Sequence, residues 1–149
     1  MSTSTFDSLR LKGSLDIRHY RGPVLIHQEQ SRQTITTVGK GWVVDKFQDI
    51  LAATELLKWH KSGTGSTPAA AGDTDLQTGL YSRVAGSRTE SAAAVYRSVA
   101  TVSYTGSHTI TEWGIFTTSS SGTLFARKTF SRAVISGDSI QFTWDLTVG

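Results

Sequence analysis

The stretch Ser139-Ile140-Gln141-Phe142-Thr143-Trp144-Asp145-Leu146-Thr147-Val148 alternates without a fault. Ile140, Phe142, Trp144, Leu146 and Val148 share one side, and Gln141, Thr143, Asp145 and Thr147 share the other. A two-residue period means a strand with one face on a core and one in water. Working back along the chain, Ser136-Gly137-Asp138 is a turn, Leu124–Phe130 a further strand and Ser119-Ser120-Ser121-Gly122 a hairpin loop. His108–Thr117 and the long run Ala92–Thr105 precede them, parted by Gly106-Ser107. Strands at intervals of about twelve residues with short turns predict an antiparallel sandwich or barrel.

The first half is more varied. Val24-Leu25-Ile26 and Thr34–Val38 read as short strands. After Gly39-Lys40-Gly41 the period changes. Trp42, Val43, Phe47, Ile50 and Leu51 fall on one side of a helix, with Asp45, Lys46, Gln48 and Asp49 mostly opposite, which predicts one amphipathic helix over 41–54. Leu56–Lys61 resumes an extended pattern and runs into the breaker-rich loop 63–72. In Asp73-Thr74-Asp75-Leu76 the aspartates are expected to accept hydrogen bonds from free backbone N–H groups. Trp42, Trp113 and Trp144 lie on apolar faces and are expected in the core.

Composition agrees with a β protein. Serine and threonine number 40 of 149 residues, and charged residues are 18%, below the usual quarter, so the surface is rich in neutral hydroxyls. Cysteine is absent, which excludes disulfides, thiolate metal sites and cysteine nucleophiles. The net charge of +3 is not spread evenly. Residues 1–40 carry Arg10, Lys12, Arg18, Arg21, Arg32 and Lys40 against Asp7, Asp16 and Glu29, whereas residues 41–149 carry nine charges of each sign. A basic leading segment on a neutral body predicts an N-terminal arm, residues 1–22, that meets an acidic partner surface or nucleic acid, with a solvated tail as the alternative. Its alternating Leu9/Leu11 and Leu15/Ile17 suit strand addition to a neighbour's sheet edge, or pairing within its own chain. Leu9, Arg10, Leu11, Leu15, Ile17, Arg18, Arg21 and Trp59 are therefore the interface candidates. Residues 23–149 form the single sandwich domain.

Reactive constellations are missing. Gly63-Thr64-Gly65 lacks the third glycine of a dinucleotide loop and the Gly-Lys-Ser/Thr of a phosphate loop. His19, His27, His60 and His108 are scattered without metal-ligand spacing, and no Gly-x-Ser-x-Gly elbow occurs. Asp73 and Asp75 lack the further carboxylates of a calcium loop. A glycosidase pair of Glu112 and Asp138 has no positive support. The expectation is a protein that is not an enzyme and holds neither metal nor cofactor. Nucleic acid is an unlikely partner, since three net charges fall short of the six to ten phosphate contacts of a dedicated binder. No apolar run reaches the roughly eighteen residues of a membrane span, and no signal-peptide pattern opens the chain, so synthesis in the cytoplasm is expected.

Several segments fall in a familiar order. They are Lys61-Ser62-Gly63-Thr64-Gly65-Ser66-Thr67-Pro68, then Asp73-Thr74-Asp75-Leu76, then Ile110-Thr111-Glu112-Trp113-Gly114-Ile115-Phe116, then Gly122–Phe130 with Leu124-Phe125-Ala126-Arg127, then Gly137-Asp138-Ser139-Ile140. Over residues 39–149 this resembles a group of small structural proteins of tailed bacteriophages. Trp113 stands where that pattern usually has smaller apolar residues. The hairpin at 119–122 brings Glu112 and Arg127 onto adjacent strands, where a carboxylate–guanidinium bond is expected, and the resemblance implies a structural rather than catalytic role for them. With the residue patterns above, the expected architecture is an antiparallel β-sandwich, jelly-roll-like, with one amphipathic helix and an extended N-terminal arm. The expected role is capsid decoration, or cement, in the virion: a homotrimer whose partners are itself and the major capsid protein. A tail collar or fibre-attachment protein is the alternative within that class. A carbohydrate-binding module using Trp59 and Tyr81 is the alternative outside it, because aromatic faces stack on sugars.

Overall fold

The computed structural model describes residues 10–149. Among these residues the chain is an antiparallel β-sandwich of two five-stranded sheets with one helix. The first sheet contains β1 (Leu11–Arg21), β2 (Val24–Arg32), β6 (Ser87–Ala92), β7 (Val95–Ser103) and β10 (Asp138–Val148), in the order β2-β1-β10-β7-β6. The second contains β3 (Thr34–Ile35), β4 (Trp59–Gly63), β5 (Gly79–Ala85), β8 (His108–Phe116) and β9 (Leu124–Val134), in the order β3-β9-β8-β4-β5. The helix, α1, spans Thr37–Gln48.

The alternation in β10 is realised as read. Ile140, Phe142, Trp144 and Leu146 are buried, and the residues between them are half-buried on the outer face. Across the sandwich they meet Trp113, Ile115 and Phe125. Trp113 stacks on Phe142 with centroids 6.1 Å apart, and Phe125 sits edge-on to Trp144 at 5.6 Å. Offset and edge-to-face pairs of this kind add roughly 0.5–1.5 kcal/mol each beyond the area they bury. Trp113 is fully buried, so the large side chain in the β8 motif is absorbed by the centre of the core.

The arm expected at residues 1–22 is corrected by the structure. Leu9 lies outside the described residues. Leu11–Arg21 is β1, paired along its length with β10 and from Ser14 onward with β2. Leu15 and Ile17 are completely buried, and Leu11 packs against the same core, so these three interface candidates are used inside the fold. The sandwich domain therefore includes Leu11–Arg21 rather than starting at residue 23. The cause is the two-residue period itself: Leu11, Gly13, Leu15, Ile17 and His19 share the inward face, and a strand with an apolar face that also finds a partner ladder on each side has no reason to leave the sheet.

Three further boundaries move. The helix starts at Thr37, four residues before the expected 41, because Thr36 caps it: its side chain accepts the Gly39 N–H at 2.9 Å and donates to the Leu124 carbonyl. It ends at Gln48, short of the expected 54, because Asp49 turns left-handed (φ 55°). The run 92–105 is divided, with Ala94 at φ 63° making the turn between β6 and β7. Third, β4 begins only at Trp59, and its His60 and Ser62 face inward while Trp59 and Lys61 stay half-exposed.

The helix also differs in how it packs. It meets the sandwich at Gly39, Trp42 and Val43, with Trp42 edge-on to Phe125 at 6.0 Å. Phe47 and Ile50, expected on the buried stripe, face outward, with Phe47 77% exposed.

Candidate functional site

Sheet two carries a buried ionic brace. Glu112 on β8 and Arg127 on β9 are both sealed from solvent. Arg127 donates to the Glu112 Oε1 from Nε (3.1 Å) and Nη2 (3.0 Å). The carboxylate also accepts backbone N–H groups from Gly65 (2.8 Å), Gln77 (2.8 Å) and Thr78 (2.7 Å). Arg127 reaches on to Asp73 (3.0 Å) and to the Thr67 carbonyl (2.9 Å), and Thr111 donates to the Gly65 carbonyl at 2.6 Å. Two strands thus hold the long connection from Gly63 to Thr78 by its backbone. A Cβ on Gly65 would stand 2.3 Å from the Glu112 Oε2, so only glycine lets the loop approach this closely.

Burial by itself would raise the Glu112 carboxyl, but the three backbone donors and Arg127 outweigh it and hold the group below its ordinary value. Glu112 is therefore an ionised, fully hydrogen-bonded anchor with no route to solvent. Asp73 accepts the Ala70 N–H and Asp75 the Leu76 N–H, which shapes the rest of the connection.

Two buried histidines are equally committed. His19 on β1 approaches Asp138 through Nε2 at 2.8 Å and receives Arg132 at Nδ1 (3.1 Å). A guanidinium can only donate, so Nδ1 is the acceptor and Nε2 carries the hydrogen. Arg21 adds two bonds to Asp138 of 3.0 Å, and the Ile135 N–H a fourth donor at 3.1 Å. These bonds, Arg21's foremost, hold the Asp138 carboxyl far below the usual carboxylate range. Glu112 and Asp138 belong to separate networks on different sheets, each saturated by its own partners.

His60 on β4 accepts the Trp113 indole N–H at Nδ1 (3.1 Å) and faces the Ser98 hydroxyl at 2.8 Å, so it ties the two sheets together from within. Desolvation pushes its pKa down from 6.5 to about 3. Between those values the unfolded chain binds a proton that the folded chain refuses. Stability is therefore expected to fall as the pH drops through this window, by up to about 1.4 kcal/mol per pH unit. Urea unfolding at a series of pH values checks this: His60→Gln should flatten the slope between pH 6.5 and 4, and an unchanged slope would discard the assignment.

The interface candidates that remain outside are scattered. Arg10 is exposed, Arg18 is bonded to Asp16 at 3.0 Å, and Arg21 is bound to Asp138. Trp59 is half-buried, packed on Leu76, Phe116 and Leu124 with Lys58 over its ring. Tyr81, its proposed companion in sugar stacking, is engaged with Thr105, Tyr104 and His108 instead. Among the described residues no three His, Asp or Glu side chains are grouped to hold a metal, and no helix is long and apolar enough to cross a membrane.

What faces outward is apolar in two places. One is the end of the helix, where Val44 and Phe47 on α1 and Ile50 just beyond its C-cap are exposed. The other is the start of β2, an edge strand, where Val24, Leu25 and Ile26 are all exposed. The Val24–Ile26 run reads from sequence as a strand, and Phe47 and Ile50 read as part of an inward helix stripe; the structure leaves all five exposed. Large apolar side chains grouped on the surface of a small domain mark contact sites. Comparison with models of known protein families, with curated proteins and with solved structures finds no match for this chain.

Proposed function

We propose that this protein is a structural component of a bacteriophage particle, a capsid decoration protein that acts as a homotrimer and cements the shell by binding the major capsid protein. Two lines support the reading. The ordered motifs resemble small phage structural proteins, and their central residues serve rigidity: the loop 63–78, Glu112 and Arg127 are one closed brace. The observation that carries the reading is the pair of exposed apolar groups, Val44, Phe47 and Ile50 at the end of the helix and just past it, and Val24/Leu25/Ile26 on the β2 edge. A cement protein needs one contact with itself and another with the shell, and a rigid sandwich with two separate apolar faces offers both. Its work is mechanical: each contact stabilises the assembled state by mass action, by about 2.7 kcal/mol when the free protein is at a hundred times its Kd.

Purified expanded capsids lacking the protein test this. Adding it should raise their melting temperature, and densitometry of native particles should show a copy number comparable to that of the major capsid protein. Phe47→Ser or Leu25→Ser should weaken the gain. A handful of copies per particle would transfer the protein to the tail, and capsids indifferent to it would end the proposal.

A further inference from the structure

The unequal charge of residues 1–40 has a structural consequence beyond the assembly role. Arg10, Lys12, Arg32 and Lys40 converge along two adjoining depressions of about 590 and about 260 Å³ between α1 and the start of β1, which share Leu11, Lys12 and Lys40. No carboxylate lines either depression, and none of the four cations forms an ion pair with a described residue. The wall is apolar: Val43, Val44 and the protruding Phe47 from the helix, Ile35 from β3. The floor includes an open strand edge. Residues Leu11–Gly13 pair with β10 on one side, but β2 ends at Arg32 opposite Ser14, leaving their other side without a paired strand among the described residues.

We propose that this groove docks an extended acidic segment of a partner protein, with its carboxylates on Lys12 and Lys40 and its alternate apolar side chains on Val43 and Phe47. An extended chain fits because the Leu11–Gly13 edge, which no described strand covers, can take one. The acidic character follows from charge: four cations with no carboxylate partner among the described residues attract carboxylates, and rim charges set the choice of partner and the rate of encounter. A period of two puts acids and apolar residues on opposite sides of such a segment. The inference holds whether or not the protein belongs to a phage particle.

A fluorescein-labelled octapeptide of alternating valine and glutamate serves as the probe, read by fluorescence anisotropy at low salt. The full-length protein should bind it saturably, and binding should weaken as salt is added. The double substitution Lys12→Glu/Lys40→Glu should lower affinity about tenfold or more and should instead take up the valine–lysine octapeptide. Phe47→Ser should weaken both pairings. Circular dichroism and the thermal midpoint verify that each variant folds. No saturable binding, or binding unchanged by the charge reversal, would overturn the proposal. So would probe binding that emerges only after removal of residues 1–9, which would give the groove to the chain's own N-terminus. Tighter charge-dependent binding of an oligothymidylate or of phosphatidylglycerol vesicles would overturn it too, by assigning the cations to phosphate.

Discussion

A chain lacking residues 1–22 is expected not to fold. The deletion removes β1, which stands second in its sheet between β2 and β10. Two ladders vanish with it, leaving the inner edge of β10 open and β2 without a strand neighbour among the described residues. Leu15 and Ile17, both fully buried, are lost from the core, and His19 is lost from its bond to Asp138. Truncating one buried leucine or isoleucine to alanine costs about 2–5 kcal/mol. A domain of this size holds about 5–15 kcal/mol in all, so the combined loss exceeds what the fold can absorb. The single variants Leu15→Ala and Ile17→Ala should each lower the urea midpoint, by about 2–5 kcal/mol of stability. A truncated protein with a native-like circular dichroism spectrum and a cooperative thermal transition would show that the segment is an arm after all.

The second large effect belongs to the brace. Arg127→Met should cost about 3–5 kcal/mol, because it strands the Glu112 charge in a sealed site. Glu112→Gln should cost a similar amount: it leaves Arg127 without its main counter-charge and turns an amide N–H toward the backbone donors of Gly65, Gln77 and Thr78. The double variant should lose less than the sum of the singles, since neither residue then faces an uncompensated partner. Limited proteolysis supplies a second readout, because the connection between Gly63 and Thr78 is held by this pair and should become the first site cut. Losses below about 1 kcal/mol in both singles would mean that the pair behaves like an exposed surface bridge and does not brace the loop.

The residues show why parts of this molecule were legible in advance and others were not. Glu112 and Arg127 were paired from sequence because a short hairpin fixes which strands are neighbours, and opposite charges on neighbouring strands seek each other. The partners they recruit from the loop were not visible: the Gly65, Gln77 and Thr78 N–H groups and the Thr67 carbonyl carry no residue signature, and nothing along the chain ties Asp73 to Arg127. His60 and His19 read as strand-face residues, and nothing in their neighbours along the chain announces Trp113, Ser98, Asp138 or Arg132, which come from distant segments. The helix stripe misled for a related reason. Periodicity reports that Trp42, Val43, Phe47 and Ile50 share a side, but the Thr36 cap and the Phe125 contact decide how the helix is set against the sheets, and Phe47 is left outside.

The linear order of residues determined that the chain makes antiparallel strands, because alternation with a period of two has one low-energy solution once an apolar side must leave water. It also determined the hairpins, the tryptophan core and the Glu112–Arg127 bond, all of which depend on short separations or on a single repeating pattern. Only the tertiary structure decided that Leu11–Arg21 is an inner strand, that Arg10, Lys12, Arg32 and Lys40 gather beside the helix, and that the exposed apolar groups lie in two separate places. Those outcomes depend on which distant elements lie side by side, and that choice is made by the packing of the whole sandwich rather than by any local stretch.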